Sequence, residues 1–263
     1  MARLALRFTA LAYLAALLAL PVGFVFYRAF EHGIGTAWES LTTPEAQHAF
    51  WLTCLMVAIA LPLNTVFGVL CGLVLVRQRF RGRALLSAAV DLPFAVSPVV
   101  IGLALILIYG RNGWFGGWLA DHGIQIIFSL PGMALATIFV SLPFVVREVA
   151  PLLREIGTEQ EQAAATLGAS PLQTFFRVTL PAIRWGVAYG VVLTTARALG
   201  EFGAVSIVSG KLAGQTETLT LHVEDRFQAF DLTGAYAAAV VLALMAIATL
   251  LAMNLFKPKA ETS

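Results

Sequence analysis

The chain has 263 residues, of which 59% are hydrophobic and only 12% charged, with a net charge of +2 and a mean hydropathy of +0.83. A soluble domain carries about twice that charged fraction, so the composition excludes a water-soluble enzyme and marks an integral membrane protein. The small, scattered positive charge leaves no footprint for nucleic acid.

Apolar runs of about 20 residues are long enough to cross a hydrocarbon core of roughly 30 Å. They predict an all-α bundle of six spans at 8–27, 51–76, 85–109, 125–146, 185–209 and 234–256, as one transmembrane domain. The first run follows Arg3 and Arg7 as a signal peptide would, but it extends to Tyr27 without a small-residue cleavage site. That is longer than an h-region of about 7–15 residues, so it reads as an uncleaved span. Cys54 and Cys71 share the second span, too far apart to bridge, and read as packing residues. Trp51, Tyr109, Trp114, Trp118 and Trp185 fall near span ends, where amphipathic rings favour the headgroup level.

After the second span come Arg77, Arg79, Arg81 and Arg83, which read first as topology anchors and second as a contact to a cytoplasmic partner. The third span contains "DLPFAVSPVV", whose two prolines each remove a helical N–H, so the helix is expected to kink or break. Two readings of Ser97 and Pro98 stand side by side. They line an anion path with exposed backbone groups, or they mark a packing kink without ligand contact. Asp91 is expected near the cytoplasmic end, beside the Arg77–Arg83 run.

Between the fourth and fifth spans, residues 147–184 form the longest loop facing the cytoplasm. Within it, Thr158 is placed to cap a short helix carrying Glu159 and Glu161 in its first turn, and Gly168 suits a left-handed C-terminal position. Ser170 and Pro171 restart a second helix, Leu172, Phe175 and Phe176 give it an apolar face, and Pro181 is expected to end it. An amphipathic loop resting on the membrane surface is one reading. Against it, Ala163, Ala164 and Ala165 grip lipid poorly but allow another protein to approach closely.

In the fifth span, Arg197 and Glu201 are charges at i, i+4 that can reach each other. Burying each alone costs about 2.5–3.5 kcal/mol on insertion scales, so they are expected to pair. Either Arg197 contacts an anion with Glu201 orienting it, or the two neutralise each other and lock the span; Thr194 joins the candidate path. The polar segment 210–232 is expected outside, as a loop with a short helix. With both termini inside, twelve of the 17 basic residues, including Lys257 and Lys259, fall on the cytoplasmic side, which satisfies the positive-inside rule.

The order Gln162-Ala163-Ala164, Gly168, Val178, Leu180-Pro181 resembles the EAA loop of permease subunits in ATP-binding-cassette (ABC) importers of type I (MetI-like) fold. The stretches "DLPFAVSPVVIGL", "YGRNGWFGGWL", "LPFVVRE" and "ARALGEFGAVSIVSG" resemble the CysW-type permeases of sulfate/thiosulfate importers. The resemblance implies a bacterial inner-membrane subunit whose coupling helix seats on a cytoplasmic ATPase. Glu161, Gln162, Ala163, Ala164, Gly168, Ala169 and Pro181 would then serve ATPase coupling. Gln162 stands where that family usually has Glu, so the contact is either moved to Glu161 or made by a neutral hydrogen bond. The implied partners are a homologous CysT-type permease, two ATPase subunits and a periplasmic or surface sulfate-binding protein. The runner-up cargo is molybdate or tungstate, which are also tetrahedral dianions.

The chain has no Gly-Lys-Ser/Thr phosphate loop, so ATP and Mg are expected on the partner ATPase, with no cofactor on this chain. A secondary transporter would show internal repeats and mid-membrane coupling carboxylates. An enzyme would need convergent groups, whereas His32, His48, His122 and His222 lack ligand spacing.

Overall fold

The computed structural model describes the backbone of residues 2–255 and the side chains of residues 6–252. Lys257, Lys259 and the last residue of the sixth apolar segment lie outside the described residues. All regular elements among the described residues are helical. In chain order they begin with α1 (Ala2–Leu14), α2 (Leu20–Phe30), α3 (Ile34–Leu41), α4 (Pro44–Arg77), α5 (Arg83–Ala95) and α6 (Pro98–Tyr109). There follow α7 (Gly116–Asp121), α8 (Leu130–Ser141), α9 (Pro143–Glu155), α10 (Glu159–Thr166) and α11 (Pro171–Thr174). The last four are α12 (Leu180–Leu199), α13 (Gly203–Val208), α14 (Leu219–Gln228) and α15 (Leu232–Leu255).

Among the described residues, four helices are long and apolar enough to cross a membrane: Leu6–Phe30, Pro44–Arg77, Leu130–Glu155 and Leu232–Ala252. The pair α5 and α6 makes a fifth if its 114° bend belongs to one span. The third segment does break, and Pro98 sets where. Ser97, the residue before it, is driven out of the helical region to φ −59°, ψ 136°, whereas Pro93 sits inside α5 without ending it.

The segment read as one span at 185–209 is not one helix. α12 stops at Leu199, residues 200–202 turn, and α13 is a separate short helix. The fourth segment, read at 125–146, is helical from Leu130 and runs on to Glu155. The polar residues Arg147, Glu148 and Arg154 had made this extension look like loop.

Pro181 does not end a helix. A π turn at Phe175–Thr179 precedes it, with the Leu180 N–H donating to the Phe175 carbonyl, and the helix continues through Pro181 into α12. The wider turn shifts the hydrogen-bond register just where proline has no N–H to give. The same device recurs at Ala15–Ala19, where the Leu20 N–H donates to the Ala15 carbonyl ahead of Pro21.

The described residues divide into two compact units, those up to 52 with 212–245, and residues 53–211 with the remainder of α15 from 246. In the first, Ala49, Leu219 and Ala238 form a buried cluster, and His222 lies 3.3 Å from Glu217 with both side chains buried. In the second, α9 is gripped from two sides by small residues four apart. Gly68 and Gly72 of α4 approach Val145 and Val149, while Gly186 and Gly190 of α12 approach Leu152 and Val145. Helix association in lipid has no hydrophobic driving force between helices, so such close backbone approach supplies the packing. The buried Asn64 side chain donates to the Ile138 carbonyl at 3.1 Å and to Ser141 Oγ at 2.8 Å, tying α4 to α8.

Candidate coupling and translocation sites

The first candidate site is a block built around α10. Its eight residues bury nothing fully, and a glycine with positive φ stands at each end, Gly157 at +63° and Gly168 at +83°. The C-terminal turn is closed by two backbone bonds, Gly168 N–H to the Ala165 carbonyl and Ala169 N–H to the Ala164 carbonyl, each 3.0 Å. This pair of bonds is the helix-ending motif that the Gly168 reading expects. Ser170 then caps α11 through a reciprocal box. Its hydroxyl accepts from the Gln173 N–H, and the Gln173 side chain accepts from the Ser170 N–H.

Thr158, by contrast, does not cap α10 with its side chain. Its hydroxyl accepts instead from Gln162 Nε2 at 3.1 Å. Gln162, Ala163 and Gly168 are exposed, Ala164 and Ala169 half-buried, and Pro181 is exposed on the first turn of α12. The apolar face read from Leu172, Phe175 and Phe176 splits in two. Phe175 packs on the core of Val69, Val145, Val149, Leu153 and Ile183, while Leu172 and Phe176 are 71% and 61% exposed. With Leu167 at 88% exposure, they leave an apolar outer surface on this block.

Glu161 is not on that outer surface. Adjacent residues of a helix point about 100° apart, so when Gln162 faces out, Glu161 turns inward. Its Oε1 accepts from Thr179 Oγ1 at 2.9 Å and from Arg77 Nη2 at 3.1 Å, and its Oε2 lies 3.0 Å from Arg77 Nε. Arg77 also donates to the Leu153 carbonyl at 2.8 Å and the Gly157 carbonyl at 2.6 Å. The Leu153 carbonyl belongs to the last turn of α9, where carbonyls lack helical donors, and Gly157 lies two residues past the helix end. Arg77 is therefore a structural cation and more than a topology anchor. Asp91 does not meet the Arg77–Arg83 run; it pairs with Arg147 of α9, accepting from Nε at 2.6 Å. Sequence reading missed both pairings because the partners lie 84 and 56 positions apart.

The second candidate site is where two helix breaks meet. α6 and α13 pack together closely enough that a Cβ on Gly203 would lie 2.9 Å from Pro98 Cβ, and one on Gly102 would lie 2.9 Å from the Ala204 carbonyl. Arg197 and Glu201 pair as expected, Nη1 to Oε2 at 2.7 Å, with side-chain exposures of 29% and 2%. Because α12 has already ended, Glu201 sits in the break, and its Oε1 accepts the Ala204 N–H at 2.8 Å, satisfying the start of α13. Ser97 is exposed and makes no side-chain cap on α6, Pro98 is half-buried, and Thr194 is fully buried. Among the described residues no cluster of His, Cys, Asp or Glu could hold a metal ion.

A multi-pass helical membrane protein with a short exposed helix pinned against its spans has the architecture of a permease. The chain belongs to the family described as binding-protein-dependent transport system inner membrane component, which it matches over residues 64–262. It is 53% identical over 250 residues to the sulfate transport system permease protein CysW of Synechocystis sp. (strain ATCC 27184 / PCC 6803 / Kazusa), covering 95% of this chain and 91% of the relative. It is 49% identical to the protein of that name from Escherichia coli (strain K12), covering 93% and 84%. The CysT permease of the same strain is 39% identical, covering 94% and 89%. The fold is similar to that of a chain in a bacterial alginate ABC transporter complexed with its periplasmic protein. There the TM-score is 0.79 at 16% identity, with 98% and 94% of the two chains covered.

Proposed function

We propose that this chain is a translocation subunit of an ATP-driven importer that brings sulfate, and also thiosulfate, into the cytoplasm across the bacterial inner membrane. The observation that supports it most is the 53% identity, over 95% of the chain, to a permease named for sulfate transport. The exposed α10 block supports the coupling half of the reading. Gln162 and Ala163 present a neutral, small face to a separate ATPase, with Leu167, Leu172 and Phe176 around it. Glu161, Ala164 and Ala169 shape the block from within. Nothing in the named relatives favours molybdate or tungstate.

The assembly pairs this chain with a CysT-type permease, two ATPase subunits that hold ATP and Mg, and a sulfate-binding protein outside. Both termini are cytoplasmic, with six crossings if α5–α6 and α12–α13 each count as one. ATP closes the ATPase dimer, α10 moves with it, and the spans open toward the loaded binding protein; hydrolysis resets them. At the junction of the breaks, Ser97 and the exposed backbone beside Pro98 offer hydrogen bonds to an oxyanion. The charge of Arg197 is taken up by Glu201, so the pair holds the break and does not carry the anion.

Labelled-sulfate uptake in cells lacking this subunit tests the reading. Wild type should restore uptake, and Gly168→Pro should not, because proline cannot adopt φ +83°. Restoration of molybdate uptake alone would overturn the substrate, and normal uptake by Gly168→Pro would overturn the coupling role.

A further inference from the structure

α10 is too short to hold its own position; isolated helices below about 12–15 residues are marginal in water. It hangs between two left-handed glycines, each with open space around it. A push on such a helix would be absorbed by its hinges unless something tied it to the spans. We propose that Arg77, Glu161 and Thr179 form that tie, a clamp through which the motion of α10 reaches α4 and the π turn before α12. The inference rests on the coupling reading and adds the route of transmission.

Three features carry it. One guanidinium spans the end of α9, the Gly157 hinge and α10: Nη1 donates to the Leu153 carbonyl, Nη2 to both the Gly157 carbonyl and Glu161, and Nε to Glu161. Arginine's planar fork makes this possible, and lysine's point charge cannot reproduce it. The Gly157 carbonyl is held by the same group that holds Glu161, so the hinge is latched to the helix it would release. Thr179 is the last residue of the π turn, so the turn that accommodates Pro181 also supplies the second donor to Glu161. Both charged side chains are mostly shielded, 16% and 22% exposed, which protects the clamp from screening.

The test uses the whole transporter with Glu161→Gln, Thr179→Val, Arg77→Met and the Arg77→Met/Glu161→Gln double variant. Membrane level and ATPase co-purification are measured beside sulfate uptake and hydrolysis stimulated by the loaded binding protein. The clamp predicts normal assembly with the ATPase and uptake lowered about tenfold in Glu161→Gln, the scale of a typical coupling energy. It also predicts loss of the stimulation of hydrolysis, and a double variant no worse than the poorer single one. Thr179→Val, which keeps the shape, should show the same pattern more weakly.

Uptake within about twofold of wild type, well below that scale, or a double variant falling by the product of the singles, would overturn the clamp. So would loss of the ATPase from Glu161→Gln alone, since that would make Glu161 a partner contact. Failure of Gly168→Pro with normal clamp variants removes the clamp and leaves the coupling role. Normal Gly168→Pro removes both.

Discussion

The α10 block and the paired helix breaks of the same compact unit both interrupt regular helix, yet they satisfy the interruption in opposite ways. In the block, side chains from distant segments do the work: Arg77 closes the end of α9, Glu161 gathers two donors, and Ser170 boxes α11. The outer face stays apolar and exposed. At the breaks, satisfaction is local and backbones touch: Glu201 serves both Arg197 and the Ala204 N–H, and Gly203 sits against Pro98. The first arrangement makes a stiff body out of short pieces, suited to being pushed. The second makes two half-helices that share a contact line, and in the proposed transport cycle this is where the angle between helices changes.

The largest effect that would break this contrast is expected at Arg197. Arg197→Gln leaves Glu201 charged in a site where only 2% of its side chain is exposed. Breaking a buried pair from one side costs about 3 kcal/mol or more, and Arg197's partial exposure places the cost at that lower figure. Glu201→Gln should cost less, because an amide oxygen still accepts the Ala204 N–H. Membrane levels and thermal unfolding in detergent check the order. A more damaging Glu201→Gln would show that the Arg197 guanidinium left without its carboxylate, and not the buried carboxylate left without its guanidinium, carries the larger cost.

Next in size is Gly190→Ala, whose new Cβ would lie 2.9 Å from the backbone Cα of Val145. Overpacking of this kind costs about 1–3 kcal/mol, read as a lower unfolding temperature. Gly72→Ala meets side-chain atoms only, the nearest Val149 Cγ1 at 3.1 Å, and should be milder. Smaller still is Gly168→Ala, which meets no neighbour but must hold φ +83°, at about 1–2 kcal/mol. Smallest is Ser170→Ala, about 1 kcal/mol for a lost cap. These last two are expected to lower sulfate uptake more than they lower the unfolding temperature, because Gly168 and Ser170 are themselves exposed. A parallel fall in both would merge the two regions into one.

Most of the α10 block was legible because its signals are local. Gly168, Ser170 and Pro171 each dictate a backbone state whatever surrounds them, and the structure shows those states. The break at Ser97 was legible for the same reason. What stayed hidden depends on partners far away in the chain. Glu161 reads as an outward charge until Arg77 is brought to it, and Pro181 reads as a terminator until the π turn is seen. The continuation of α9 to Glu155 was missed because its charged residues lie on one face of a helix that buries Val149 and Leu153 on the other. The grips on α9 did leave a signal that could have been used: Gly68 and Gly72, and Gly186 and Gly190, each stand four apart. The fifth segment deceived by hydropathy, since its apolar run continues across the turn at 200–202.

The central claim, a stiff block beside a hinge, is tested most directly by distances in the working transporter. With Cys54 and Cys71 replaced by alanine, spin labels at the exposed positions Gln78 and Gln160 report the clamp, and labels at Ala95 and Phe202 report the breaks. On adding ATP and the loaded binding protein, the first distance should stay fixed while the second changes. A first distance that changes, with the second fixed, would contradict the account.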